Sequence, residues 1–133
     1  MKLELVGNNK LLMSIVEKML IDIDGVTNNS LNNNENRATP ITFYLGYIDN
    51  DPVCVIETYS EDANELFLVN FGLSENIQKQ GKGKRFIAMF ERLAKSKGCN
   101  IISLTSKPDA YGFCLACGYY DSGSCEYGLY KKL

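Results

Sequence analysis

The stretch Leu66-Phe67-Leu68-Val69-Asn70-Phe71-Gly72-Leu73-Ser74-Glu75-Asn76-Ile77-Gln78-Lys79-Gln80-Gly81-Lys82-Gly83-Lys84 decides how this chain is read. Glu65 to Phe71 is nearly continuous in apolar residues, the pattern of a strand covered on both faces and therefore central in its sheet. After the loop, Phe86, Ile87, Phe90, Leu93 and Ala94 recur at helical spacing, and Gly98 is a suitable C′ residue. A junction of strand, glycine loop and helix offers unpaired N–H groups and the positive end of a helix dipole. Gly81 and Gly83 lack Cβ atoms, so an incoming group can approach the backbone closely. Lys79, Lys82, Lys84 and Arg85 add full charges. Together they imply an anionic, phosphate-bearing ligand at 78–84.

Outward from this stretch, the pattern alternates between strands and helices. Upstream, Ile41–Ile48 and Val53–Tyr59 are β-branched and aromatic runs separated by Asp49-Asn50-Asp51, which predicts a hairpin. Glu61-Asp62-Ala63-Asn64 predicts a second turn. Leu3–Val6 reads as a short first strand. Asn8 or Asn9 then caps a helix with Leu12, Ile15, Val16, Met19 and Leu20 on one face, fading near Ile21. The Asn-rich Thr27–Asn36 segment reads as a loop. Downstream, Ile101–Thr105 is β-like, Asp109 is an N-cap candidate for a small helix that stops at Gly118, and Glu126–Tyr130 predicts a last strand. This order predicts one domain over residues 1–133 with a central mixed, mostly antiparallel sheet flanked by helices.

Composition limits the chemistry. The chain has 133 residues, no His and no Trp, and five cysteines: Cys54, Cys99, Cys114, Cys117 and Cys125. Without His, Ser-His-Asp and Cys-His catalysis and His-bearing zinc sites are excluded. An odd cysteine count and no secretory pattern predict free thiols and a cytoplasmic setting. Cys114-Leu115-Ala116-Cys117 has no second such pair, so it reads as cysteines packing on a helix face, with no metal expected. No apolar run reaches eighteen residues, so no membrane helix is expected. The formal charge of −2 hides an asymmetry: residues 1–78 carry four Lys/Arg against twelve Asp/Glu, and residues 79–133 carry ten against four. Seven of those ten lie from Lys79 to Lys97. One concentrated basic segment suits a local anion site better than a nucleic-acid surface, so no nucleic-acid partner is expected.

Two familiar phosphate loops do not fit. A Walker A loop needs Gly at position 78 and Ser or Thr after Gly83-Lys84, where Gln78 and Arg85 stand. A dinucleotide fingerprint needs Gly where Phe86 stands. The pattern present is Q-x-x-G-x-G, as Gln78, Gly81 and Gly83.

Leu73–Gly83 resembles the acyl-CoA signature of the GNAT superfamily of N-acyltransferases, with Leu73 at its Val position and Ile77 at its aromatic position. Glu75 replaces the usual Pro. Downstream, Ala110, Gly118 and Tyr119 match the family's N-x-x-A-x-x-x-Y-x-x-x-G-F, with Lys107 in place of Asn and Cys114 in place of Tyr. The resemblance implies a GNAT-like fold, acetyl-CoA as co-substrate, a small-molecule or peptide amine as acceptor, and a possible homodimer. It implies that the diphosphate is bound by Gln78, Lys79, Gln80, Gly81, Lys82, Gly83 and Lys84. The pantetheine arm would run along Phe71-Gly72-Leu73, with Lys107 and Phe113 beside it, and backbone N–H near Leu73 would meet the developing oxyanion. Cys114 stands where the family's proton donor stands. Glu57 and Glu65, read as exposed carboxylates, and Glu126 are the candidate bases, with Glu57 the one taken forward. A non-catalytic acyl-CoA-binding module on the same fold is the alternative.

Overall fold

The computed structural model describes residues 1–24, 41–60 and 62–133. The segment 27–36 lies outside the described residues. Among the described residues, seven strands form one sheet: β1 (Lys2–Leu5), β2 (Thr42–Ile48), β3 (Asp51–Ser60), β4 (Glu65–Leu73), β5 (Ile101–Thr105), β6 (Tyr120–Asp121) and β7 (Gly128–Lys132). The described helices are α1 (Lys10–Asp24), α2 (Lys82–Ser96) and α3 (Tyr111–Ala116). Spatial order is β1-β2-β3-β4-β5-β7-β6, which puts β4 in the middle. Only β4 and β5 pair in parallel; the other pairs are antiparallel.

Local chemistry accounts for these elements. Asn9 Oδ1 accepts a hydrogen bond from Leu12 N at 3.0 Å and so caps α1. Asp49 and Asn50 take φ of 50° and 68° between the paired Ile48 and Asp51, the two-residue turn that tightens a hairpin. At the end of α2, Gly98 has φ of 94°, its N–H meets Lys95 O, and Cys99 N meets Ala94 O. That is a Schellman ending. Gly118, again at 94°, ends α3 in the same way, with Tyr119 N bonded to Cys114 O.

Two apolar layers sandwich the sheet. On one face Val16, Met19 and Leu20 of α1 pack on Phe43, Leu45 and Val55. On the other, Phe86, Ile87, Phe90 and Ala94 of α2 pack on Tyr44, Cys54, Ile56, Leu68 and Ile102. Phe86 and Phe90 are fully buried, each worth about 1.5–3 kcal/mol of transfer free energy.

Three expectations need correction. The first helix continues to Asp24, because Asp22 sits on the solvent side, where an aspartate costs only helix propensity. Asp109 caps nothing: Pro108–Ala110 is a 3-10 turn with Lys107 at its N-cap, so Asp109 already lies inside the turn. The last strand starts at Gly128, since Tyr127 takes φ of 60°, outside the extended region, and it pairs with the short β6, which the pattern did not show.

Candidate active site

Strand β4 changes character halfway along. From Glu65 to Leu68 it is paired on both sides, with β3 and with β5, and Leu68↔Leu104 is the last pair on the β5 side. Strand β5 ends one residue later, at Thr105, while β4 continues to Leu73. From Val69 onward, therefore, no described strand pairs with that edge of β4. On the β3 side the register slips at the same level: Glu57 pairs with Asn70 and Thr58 with Leu68, leaving Val69 as the extra residue of a bulge.

Glu57 stands at this level and is 1% exposed. Its position opposes Phe43 and lies two residues from Val55, so it occupies the α1 face of the sheet. Reading Glu57 as an exposed carboxylate is thus wrong, and the reason is the α1 layer that covers this face. Asn70 Nδ2 donates to Glu57 Oε1 at 2.8 Å. Hydrogen bonding of this kind helps a buried carboxylate tolerate its charge. Glu65 lies at the paired end of β4, and Glu126 is exposed before β7.

Residues expected beside the cofactor gather on the opposite face. Phe71 stacks on Phe113 of α3 with centroids 6.1 Å apart and planes within 10°. Phe113 also closes over Gly83: a Cβ there would stand 3.1 Å from Leu73 Cδ1 and 3.2 Å from Phe113 Cζ. The two glycines therefore serve different needs. Gly83 is buried and lets α2, β4 and α3 meet. Gly81, with φ of 75°, is the N-cap of α2 and has open space around it.

The loop between β4 and α2 is braced by its own side chains. Gln78 Nε2 donates to Leu73 O and Gln80 Nε2 to Asn76 O, both at 3.0 Å. Lys79 takes φ of 63°. The N-cap residue Gly81 has no side chain to cap α2. Lys79, Lys84 and Arg85 are exposed around it and Lys82 is half-buried. Lys107 is exposed at the start of the turn before α3. A groove of about 400 Å³ runs beside this loop, lined by Met19, Asp22, Leu73, Ser74, Glu75 and Gln78.

The candidate proton donors differ sharply. Burial pushes the Cys114 thiol up to about 11, with the Cys117 thiol adding to the effect. Tyr111 donates to Asp121 Oδ2 at 3.1 Å, and that bond holds its proton above the ordinary phenol range. Tyr119 is raised by burial first and by the Glu91 charge second. Neither its hydroxyl nor Glu91 Oε2, both fully buried, makes a hydrogen bond of good geometry. Among the described residues, no group of three or more Cys, Asp or Glu could hold a metal ion, and no helix is long and apolar enough to cross a membrane.

Sequence reasoning passed over Asn70. The signal was present, as the only polar residue within Leu66–Phe71, an otherwise apolar run.

Residues 13–119 match the sequence model of the Acetyltransferase (GNAT) family. Solved structures share the fold. A putative N-acetyltransferase from Lactobacillus plantarum superposes with a TM-score of 0.81 at 12% identity, covering 99% of this chain and 97% of that one. The acetyltransferase from Bacillus subtilis in complex with CoA gives 0.72 at 17% identity, covering 99% and 98%. An aminoglycoside 6'-acetyltransferase type Ii gives 0.74 at 16% identity, covering 99% and 97%. No curated protein matches the sequence.

Proposed function

This chain belongs to the Acetyltransferase (GNAT) family, and from that premise we propose that it transfers an acetyl group from acetyl-CoA to a primary amine by direct attack. The observation that carries this reading is the parting of β4 from β5 beside a buried carboxylate. The free edge of β4 suits the amides of a pantetheine arm, which can pair with it as an added strand does. The uncapped start of α2, with Gly81 and the cations around it, suits a diphosphate. When bound, acetyl-CoA supplies the activated acetyl group.

The chain's own residues divide the work by sheet face. On the α2–α3 face, backbone N–H groups of 78–83, helped by Lys79, Lys82 and Lys84, hold the diphosphate. Phe71, Gly72, Leu73, Lys107 and Phe113 flank the arm. On the α1 face, Glu57 takes a proton from the acceptor ammonium so that its nitrogen can attack. Backbone N–H groups on the free edge of β4, close to the bulge, are placed to meet the developing negative charge. The departing thiolate needs a proton. With its thiol at about 11, above its ordinary 9.0, Cys114 is a weaker acid than an ordinary thiol, so donation from it runs uphill; the proton shed by the attacking nitrogen as the intermediate collapses passes to solvent, and solvent protonates the thiolate.

That weak donor is also the observation that favours the second reading, a module that binds acyl-CoA without turnover. Thiol release from acetyl-CoA in the presence of a polyamine, an aminoglycoside and a lysine peptide separates the two. Steady turnover with any amine supports transfer. Tight CoA binding with no thiol released supports the binding module.

A further inference from the structure

Asn70 sits at the bulge with its amide orientation set by its contact with Glu57. The group facing Glu57 is the NH₂, which donates to a carboxyl oxygen. The 2.8 Å contact from Nδ2 to Glu57 Oε1 therefore turns the amide carbonyl away from Glu57. Asn70 makes no other described hydrogen bond, and its Oδ1 is not among the buried atoms left without a partner. The residue is half-buried, so this oxygen remains reachable. It lies on the half of β4 that has lost its β5 neighbour, one residue past the bulge.

An oriented carbonyl oxygen beside a buried carboxylate is a receptor for an N–H donor. We propose that Asn70 docks the acceptor amine, offering Oδ1 to its N–H while Nδ2 holds Glu57 in place. The inference rests on the transfer reading above and deepens it by naming the group that recognises the acceptor. The acceptor must then present three N–H bonds at its reacting nitrogen: one is given up toward Glu57 before attack, one is shed as the intermediate collapses, and one stays on Oδ1 in the amide product. Primary amines in their ammonium form meet that need. Tertiary amines and hydroxyl acceptors do not.

The test pairs kinetics with direct observation of the side chain. Asn70→Ala is expected to raise KM for the amine about tenfold, the worth of one hydrogen bond to a charged donor. KM for acetyl-CoA should stay within about twofold. A merely structural role would not divide the two substrates in this way. An unchanged amine KM in a folded variant that still binds CoA would overturn the proposal. In the unsubstituted protein, titrating a polyamine, an aminoglycoside and a lysine peptide should move the Asn70 side-chain amide resonances. If they move while no thiol is released, docking stands and the transfer reading fails. If none of the three moves them, the docking proposal fails whatever the turnover.

Discussion

The two halves of β4 differ in neighbours more than in composition. Glu65–Leu68 lies between two strands, so its backbone groups are satisfied by the sheet. Among the described strands, Val69–Leu73 pairs only with β3. The first half anchors the core through Leu68, and the second half carries Asn70, Phe71 and the turn into the cationic loop. One strand thus supplies both a rigid base and an unfilled row of backbone groups. The difference teaches that the site is made by a missing neighbour, and each half can be attacked separately.

The largest expected effect falls on the open half. Glu57→Gln keeps the contact with Asn70 but removes the base, and kcat should drop by about 10²–10⁴-fold. Acetyl-CoA affinity by calorimetry should hold, because the elements proposed to hold the cofactor lie on the other face of the sheet. The paired half should behave in the opposite way. Leu68→Ala empties a buried position and should cost about 2–4 kcal/mol of stability by denaturant unfolding, with kcat at 25 °C retained. If Leu68→Ala abolished turnover while stability held, the division of β4 would be lost.

Smaller effects sharpen the contrast at the junction. Gly83→Val would press on Leu73 and Phe113 and should destabilise by about 1–3 kcal/mol, visible as a lowered Tm. Gly81→Ala meets no side chain but must hold φ of 75°, for a cost of about 1 kcal/mol. The smallest is an alkaline effect. The folded Cys114 thiol at about 11 lies above its ordinary 9.0, so the folded state holds its proton more tightly. Its contribution to stability is full below pH 9 and is lost as pH rises through 11. Unfolding midpoints across that window should fall, and Cys114→Ala should flatten part of the decline.

Much of this was legible in the amino-acid order. Strand β4 announced itself as a buried apolar run, α2 by its apolar stripe and Gly98, and the β2–β3 hairpin by Asp49-Asn50. The glycine-containing loop from Gln78 to Gly83 ahead of α2 was legible because glycine and lysine spacing is a local signal. What escaped depends on neighbours distant in sequence. The burial of Glu57 comes from α1, more than thirty residues earlier in the chain. The bulge at Val69 and the parting after Leu68 depend on register against β3 and β5. The packing need at Gly83 escaped because the ring that meets it, Phe113, lies thirty residues downstream.

Amide hydrogen exchange, followed residue by residue with and without coenzyme A, tests the central claim most directly. The account predicts slower exchange on binding for amides within 69–73 and 79–83, with 65–68 unchanged because both of its edges are already paired. Coenzyme A that binds tightly yet leaves 69–73 exchanging as in the free protein would contradict it.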